Sequence, residues 1–198
     1  MGSVIINISI GYRPGDPLDF TASHRAYAER HSYEYRQVTE SLLPDELPTW
    51  SKHPAALEAV GHNHVMIVDT DAEILPDCPA FHEVIERARP SQHIFATLGH
   101  SFRPNAGMIL LRAGTLSHLF LSRLIESRGE VMPPRDVCIP GGDNGHFIHM
   151  LRADPWKRML GLLPTVWNNT QQPTDWDYIR HYTGPMRDRL FSEQSEAA

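Results

Sequence analysis

The sequence predicts an α/β domain with a mixed, mostly parallel sheet flanked by helices, and three observations support this fold class. β-branched runs of strand length recur along the chain, for example at residues 4–10 and 65–68. Helical segments alternate with these runs in the first half of the chain, which is typical of parallel strands joined by crossover helices. The apolar runs 93–98 and 108–112 follow each other too closely for a crossover helix, so they must be antiparallel neighbours.

Each element has a local signal in the sequence. Apolar, β-branched or aromatic runs predict strands at residues 4–10, 33–38, 65–68, 93–98, 108–112 and 176–182. Capping residues, helix formers and breakers predict helices at 20–31, from 49 or 51 to 61, and at 79–89, 114–126 and 147–151. In the fourth helix the spacing places Leu116, Leu119, Phe120, Leu124 and Ile125 on the core side. We expect one domain over residues 1–191 and a disordered polar tail over residues 192–198.

Composition limits the classes of function. The 198 residues suffice for one domain with a substantial core, and 41% hydrophobic and 21% charged residues are ordinary for a globular protein. A net charge of -6 argues against nucleic acid as a partner. No stretch approaches the ~20 apolar residues of a membrane span, and no signal peptide is recognisable. We expect a cytoplasmic protein, with work at a membrane face as the alternative, and we leave homo-oligomerisation open.

The two cysteines are too far apart in sequence for a CxxC motif. Cys78 and Cys138 are therefore expected to be free thiols in a reducing compartment, with a single disulfide as the alternative.

The third strand ends on two carboxylates, Asp69 and Asp71, with one residue between them. On a continuing strand, side chains two apart point to the same side, with alpha carbons ~6.6 Å apart. Ligands of open α/β sheets bind at the carboxyl ends of the strands, and two hard oxygen ligands there suit Mg²⁺ or Mn²⁺. Glu73 would be a third acid behind this pair. The alternative is that these acids only form a turn or cap the next helix.

Three other stretches supply candidate ligand contacts. Gly11 lets the backbone approach a nucleotide and Tyr12 can stack on a base, unless this segment is an ordinary surface loop. Lys52 falls in the first turn of a helix, where the dipole does not favour cations, so it either contacts a phosphate or is a solvated surface lysine. Asp143 follows two glycines and either contacts a sugar or phosphate or caps the helix.

Four segments, in this order, resemble the metal-dependent glycosyltransferases of the GT-A fold, and the likeness covers most of the chain. The segments are VMIVDTDAEIL (65–75), similar to the DxD motif, and NAGMILLR (105–112), GGDNGHF (141–147) and HYTGP (181–185). The segment RAYAERHSYEY (25–35) also resembles yeast galactosyl/mannosyltransferase and plant xylosyltransferase relatives. The resemblance implies a Rossmann-like domain in which Asp69, Asp71 and His181 bind Mn²⁺ or Mg²⁺ against the diphosphate of a UDP- or GDP-sugar.

The resemblance also implies roles for single residues. Asn105 and the backbone of Gly107 would orient the donor sugar, and Asn144 and Gly184 belong to the donor site through the third and fourth motifs. Asp143 would be the catalytic residue, either by gripping a sugar hydroxyl or by taking the proton of a hydroxyl acceptor. The branches resembled most, glycogenin-like and yeast galactosyl/mannosyltransferase-like, retain the anomeric configuration.

The chain departs from the family pattern in two ways. It is short for this fold, so the acceptor side is either minimal or completed by a partner. The last motif lacks the Lys-Pro-Trp of the glycogenin-like branch, and Arg187 or Arg189 would supply the missing positive charge.

Two other functions stay open on the sequence alone. One is a haloacid-dehalogenase-type phosphatase with Asp69 as nucleophile and Asp71 as general acid. It is disfavoured because such motifs lie near the amino terminus, and because the only lysine after Lys52 is Lys157. The other is a non-catalytic protein that binds sugar nucleotides, and the intact acid pair argues against it.

Overall fold

A computed structural model describes residues 2–13, 15–59 and 61–196. The strands are β1 (Ser3–Ile8), β2 (Glu34–Val38), β3 (His64–Asp69), β4 (Ala72–Ile74), β5 (Ile94–Leu98), β6 (Pro104–Arg112), β7 (Leu160–Leu162) and β8 (Ile179–His181). The α-helices are α1 (Thr21–Arg30), α2 (Lys52–Glu58), α3 (Phe81–Arg87), α4 (Thr115–Glu126), α5 (Asp143–Leu151), α6 (Trp156–Met159) and α7 (Pro185–Glu196). Short 3-10 helices occupy Pro48–Ser51, Ser127–Gly129 and Thr165–Trp167.

The main sheet is mixed, and its six strands have the order β2-β1-β3-β6-β5-β7. Pairings of β1 with β2 and β3, and of β5 with β7, are parallel, whereas β6 runs antiparallel to both β3 and β5. The antiparallel β5–β6 hairpin confirms the prediction made from its short loop. Because β6 begins beside the end of β3, residues at the start of β6 reach the sheet edge at which β3 ends.

A second, two-stranded sheet corrects the geometry expected for the acid pair. β3 ends at Asp69, residues 70–71 form a turn, and β4 then pairs antiparallel with β8, with Ala72 opposite His181. Asp71 therefore lies in a turn and not two positions further along a continuing strand. The two carboxylates still lie close to each other, because the turn brings Asp71 back toward Asp69. Strand alternation was expected to produce the same proximity.

The central strands are buried on both faces of the sheet, as their β-branched runs predict. Alternate residues of β1 and β3 divide between two cores, each of which is covered by helices. One core, under α2, α4 and α5, contains Val4, Ile6, Val65, Ile67, Ala56, Phe120, Leu124 and Phe147. The other, under α1 and α3, contains Ile5, Met66, Val68, Tyr27, Phe81 and Ile85.

Some expectations from the sequence were wrong in detail. The core face of α4 is formed by Phe120, Leu121 and Leu124, whereas Leu116 and Leu119 are exposed. The expected strand at 176–182 is limited to Ile179–His181. The expected boundary at residue 192 falls inside α7. Residues 197–198 lie outside the described chain, and the disordered tail stays a prediction.

Two further expectations concern the cysteines and the membrane. Cys78 and Cys138 are both free thiols, as predicted. Within the described ranges, no helix combines the length and apolar character that crossing a bilayer requires.

Candidate active site

A cleft of about 520 Å³ opens at the edge where β1 and β3 end. Its walls come from the segment after β1, the start of α2, the turn after β3, the loop 99–103, the start of β6, the loop before α5 and the segment after β8. This volume lies within the range of small-molecule sites, roughly 300–1,000 Å³. The antiparallel direction of β6 and the β4–β8 pairing bring distant parts of the chain to this one edge.

Asp69, Asp71 and His181 converge in this cleft. Each offers one ligand atom, and these three atoms lie within 4.8 Å of one another. His181 Nε2 is 3.2 Å from Asp71 Oδ1, while its Nδ1 is buried and has no hydrogen-bond partner among the described residues. Two carboxylates and an imidazole nitrogen form a donor set that fits a divalent cation.

Gly107 makes room for the imidazole of His181. A Cβ atom built on Gly107 would lie 2.0 Å from His181 Cε1 and 2.4 Å from its Nδ1. Any side chain on this position of β6 would therefore displace the histidine. The glycine of the NAGMILLR segment thus has a structural role toward the candidate ligand His181, in addition to the donor-sugar contact that the resemblance implies.

Lys52 is buried at the first position of α2. Its Nζ lies 2.7 Å from Asp69 Oδ1 and 3.5 Å from Asp143 Oδ2, and it donates a hydrogen bond to the carbonyl of Ala106 at 3.1 Å. Its side chain is only 1% exposed, so the alternative of a solvated surface lysine is wrong. Lys52 connects the acid at the end of β3 with the acid at the start of α5.

Asp143 is the first residue of α5, and Gly142 occupies the N-cap position, so the capping alternative for Asp143 is wrong. Its Oδ2 accepts a hydrogen bond from His53 Nε2 at 2.9 Å. The Asp143 side chain is almost fully buried but borders the cleft. The structure therefore places a fixed carboxylate, held by Lys52 and His53, beside the three candidate metal ligands.

The electrostatic environment shifts the pKa values of Asp69, Asp71 and Asp143 in different directions. Burial raises the pKa of Asp69, and the ammonium of Lys52 only partly offsets this. Burial also disfavours ionised Asp71 and Asp143, but nearby positive charges and hydrogen-bond donors outweigh it. His181 and Arg187 hold the pKa of Asp71 below its usual value, and Lys52 and His53 do the same for Asp143.

Of the two arginines expected to replace the positive charge that the last motif lacks, only Arg187, in the first turn of α7, contacts the acid pair. Its Nη2 lies 2.6 Å from Asp71 Oδ2, and its Nε donates to the carbonyl of Tyr182 at 2.8 Å. Arg189 instead pairs with Glu193 on the surface. Gly184 precedes the helix in the left-handed region, with φ 52°, and a Cβ there would meet the ring of His100 at 2.7 Å.

The other residues proposed for the donor site differ in their surroundings. Tyr12 lines the cleft, and Gly11 is not among its lining residues. Asn105 Oδ1 accepts hydrogen bonds from the Gly107 amide at 2.9 Å and from Asn168 Nδ2 at 2.8 Å. Asn144 Oδ1 accepts from the Ala106 amide at 2.8 Å. Glu73, expected behind the acid pair, accepts a hydrogen bond from the Tyr182 hydroxyl at 2.8 Å.

Sequence reasoning missed several residues of this region. His53 supports Asp143 from within the α2 helix, and the cleft is also lined by His100, Ser101, Arg103, Cys138 and Ile139. These residues lie in a hairpin loop and a proline-rich loop without a motif. Their positions follow from long-range packing, which no local spacing reveals.

Comparison with models of known families and with characterised proteins finds no match. Solved structures are similar to the chain. A glycosyltransferase involved in the glycosylation of the major capsid of PBCV-1 matches with a TM-score of 0.70 and 13% identity over 100% of both chains. Mouse xyloside xylosyltransferase 1 matches with a TM-score of 0.56 and 12% identity over 91% of this chain and 96% of its own.

The glycosyltransferase GlyE of Streptococcus pneumoniae TIGR4 matches with a TM-score of 0.58 and 14% identity. The match covers 97% of this chain but 60% of GlyE. At these identities the likeness shows the fold, which is the GT-A fold that the sequence predicts.

Proposed function

We propose that this chain is a glycosyltransferase that moves a hexose or pentose from a nucleoside-diphosphate sugar to a hydroxyl acceptor, assisted by Mn²⁺ or Mg²⁺. The observation that carries the proposal is the convergence of Asp69, Asp71 and His181 in the cleft of a GT-A fold. A cation bound there would neutralise the negative charge that develops on the diphosphate leaving group. The histidine nitrogen in the ligand set favours Mn²⁺ over Mg²⁺, which prefers oxygen ligands.

Two cations of the chain neutralise the acids, and one of them, Arg187, is also accessible to the diphosphate. Arg187 contacts Asp71 and keeps 41% of its side chain exposed on the cleft side of α7, so it can donate to a phosphate as well. Lys52 is buried and fixed between Asp69 and Asp143. We assign Arg187 to the leaving group and Lys52 to holding the two carboxylates in place.

Asp143 is suited to gripping a sugar hydroxyl. A general base works best with a pKa near the working pH, and the pKa of Asp143 is held below its usual value by Lys52 and His53. Such a carboxylate accepts hydrogen bonds but is a poor proton acceptor. Because inversion needs a base for the acceptor proton and Asp143 is unsuited to that role, we propose a transfer with retention, as the resemblance implies.

The remaining donor contacts follow the order of the sheet. Tyr12, after β1, is placed for the nucleoside, with Gly11 as its neighbour in the turn. Asn105, Gly107, Asn144 and Gly184 also line the cleft, and we assign them to the donor sugar. Asn105 is itself held by Asn168, so its amide is oriented before a ligand arrives.

A thermal-shift panel tests this proposal. The wild type, Asp71→Asn and the surface variant Asp154→Asn would be heated with nucleoside diphosphates and sugar nucleotides, with Mn²⁺, with Mg²⁺ and with a chelator. We expect one nucleotide to stabilise the wild type and Asp154→Asn only when metal is present, by about 2.7 kcal/mol at a hundredfold excess over Kd. Asp71→Asn should lose this shift, since it removes a charged ligand of the cation.

Enzyme assays complete the test. The wild type should release the nucleoside diphosphate from the sugar nucleotide that stabilises it. Absence of any nucleotide shift, together with phosphate release from p-nitrophenyl phosphate, would favour a phosphatase and sink the transferase. A metal-dependent shift without turnover would favour a binding protein.

A further inference from the structure

Phe102 has an unusual backbone conformation for its residue type. Its φ is 57°, and among the described residues only Ser32 shares a positive φ without being glycine. The loop 99–103 between β5 and β6 imposes this conformation, since the Phe102 amide donates to the Gly99 carbonyl and the Gly99 amide donates to the Arg103 carbonyl, both at 2.9 Å. Glycine would fit this turn without strain, and strained residues concentrate at functional sites.

The side chain gains no shelter from this conformation. Phe102 is 78% exposed, although it is a large apolar residue on a loop. Folding energy therefore does not account for the ring, because it is left in water on a strained backbone. An exposed aromatic residue with an unfavourable φ points to a contact that forms only with a ligand.

The loop is held at the mouth of the cleft. His100, Ser101 and Arg103 line the cleft on either side of Phe102 in sequence. Arg103 Nη1 donates to the carbonyls of Arg135 at 2.8 Å and Val137 at 3.2 Å, and the His100 amide donates to Thr170 Oγ1 at 2.7 Å. The ring is therefore presented by a fixed turn.

The order of the strands places this turn away from the proposed nucleoside contact. The acid cluster lies at the end of β3, which separates β1 from β6 and β5 in the sheet. Tyr12, the proposed nucleoside contact, follows β1, whereas the loop 99–103 joins β5 to β6. With the nucleoside on the β1 side and the donor sugar at the start of β6, the acceptor would approach over the end of β5, where this loop begins.

We propose that Phe102 is a stacking platform for the acceptor, and that the acceptor is a saccharide; this inference rests on the proposed transferase function. A sugar ring presents a C–H face that packs on an aromatic ring and hydroxyl groups that need polar partners. The loop offers both, because it carries the exposed Phe102 ring and the polar side chains of Ser101 and His100, which line the cleft. Ile139, 67% exposed on the neighbouring loop, extends the apolar part of the rim.

The test compares three substitutions of Phe102 with a matched control. Phe102→Gly removes both the ring and the backbone strain, Phe102→Ala removes the ring, and Phe102→Tyr keeps an aromatic platform. Trp176→Ala is the control, because Trp176 is also a highly exposed aromatic residue but its neighbours in the chain do not line the cleft, whereas those of Phe102 do. Acceptor probes are the methyl glycosides of common hexoses and pentoses, disaccharides, and a peptide rich in Ser and Thr.

We expect transfer to at least one saccharide probe by the wild type. Phe102→Gly and Phe102→Ala should raise the KM for that saccharide about tenfold, while the KM for the sugar nucleotide changes less than about twofold. Phe102→Tyr and Trp176→Ala should keep the wild-type acceptor KM. Phe102→Gly should melt no lower than the wild type, since glycine relieves the positive φ, so its loss of acceptor binding cannot come from unfolding.

Two results would overturn the platform while leaving the transferase intact. One is an unchanged saccharide KM in Phe102→Gly and Phe102→Ala, and the other is transfer only to the peptide. If the wild type releases no nucleotide from any sugar nucleotide, the proposed function fails and the platform fails with it.

Discussion

A single buried cation, Lys52, organises the charges of the candidate site. Burial disfavours its ammonium form, but Asp143 and Asp69 outweigh this effect and keep the pKa of Lys52 above its usual value. Such a group contributes mainly by compensating its partners, because two carboxylates without it would be buried beside each other.

Lys52→Met should therefore destabilise the fold strongly. Removing one partner of a buried ion pair typically costs about 3–5 kcal/mol, since the charge that remains is uncompensated. Urea unfolding of the variant and the wild type measures the difference. Lys157→Met is the matched control, because Lys157 is exposed, and it should change the free energy of unfolding by less than about 0.5 kcal/mol. Equal losses in both variants would contradict this role of Lys52.

Residues differed in how far the sequence predicted their places. Asp69 and Asp71 were identifiable because the apolar run and both acids are contiguous in the chain. Lys52 was left between two interpretations, and its partners Asp69 and Asp143 come from segments far along the sequence. His53 gave no signal at all, since its hydrogen bond to Asp143 depends on how α2 packs beside α5.

At the scale of elements, the close approach of β6 to β8 determines whether a third metal ligand is available. Gly107 of β6 lies directly against the ring of His181 of β8. The contact leaves no room for a Cβ on residue 107. The close approach of the two strands therefore depends on one glycine and one histidine.

Gly107→Ala should weaken metal binding by displacing His181. We expect the Kd for Mn²⁺, measured by isothermal titration calorimetry, to rise at least about tenfold, the size of effect seen when the support of a ligand is lost. Gly61→Ala is the matched control, because a Cβ at Gly61 meets no atom within 4 Å. An unchanged affinity in Gly107→Ala would show that His181 is not a ligand or that it moves without cost.

Elements were predictable where a period or a loop length gave a constraint. The antiparallel β5–β6 pair followed from the short loop between two apolar runs. The β4–β8 pair did not, because three-residue strands show no alternation. The expected core face of α4 was right for Phe120 and Leu124 but wrong for Leu116 and Leu119. Leu121 is buried instead, since the rotation of a helix about its axis depends on its neighbours.

For the molecule as a whole, pH acts on stability through buried neutral histidines. His24 is fully buried, with Nε2 2.5 Å from the Ala72 carbonyl, and burial lowers its pKa from 6.5 to about 4. The unfolded chain takes up this proton below pH 6.5, whereas the folded chain does so only below about pH 4. The contribution of neutral His24 to stability is therefore fully present above pH 6.5, and it declines as the pH falls toward 4.

Chemical denaturation at pH 7 and pH 5 checks this dependence. His24 alone should cost the wild type about 2 kcal/mol between these conditions. His24→Gln, which can still donate to the Ala72 carbonyl, should lose that part of the pH dependence. His118→Gln, at an exposed position, should keep it. The same slope in all three proteins would contradict the assignment.

The fold class was predictable from the whole chain, because strands buried on both faces must be apolar throughout. For the cleft, only its location at the carboxyl-terminal edge of β3 was predictable. Its walls include the loops 99–103 and 131–142, whose course depends on contacts such as that of Arg103 with the Arg135 and Val137 carbonyls.

The short β4–β8 ladder makes the candidate metal site sensitive to a slip of one residue. Ala72 stands opposite His181 in a pairing of three residues on each side. A shift by one position would turn the His181 side chain to the other face and remove it from Asp69 and Asp71. An ion bound by Asp69 and Asp71, which precede β4, and by His181 of β8 would fix the register of this ladder. Slower hydrogen exchange of the β8 amides on addition of Mn²⁺ would be its signature.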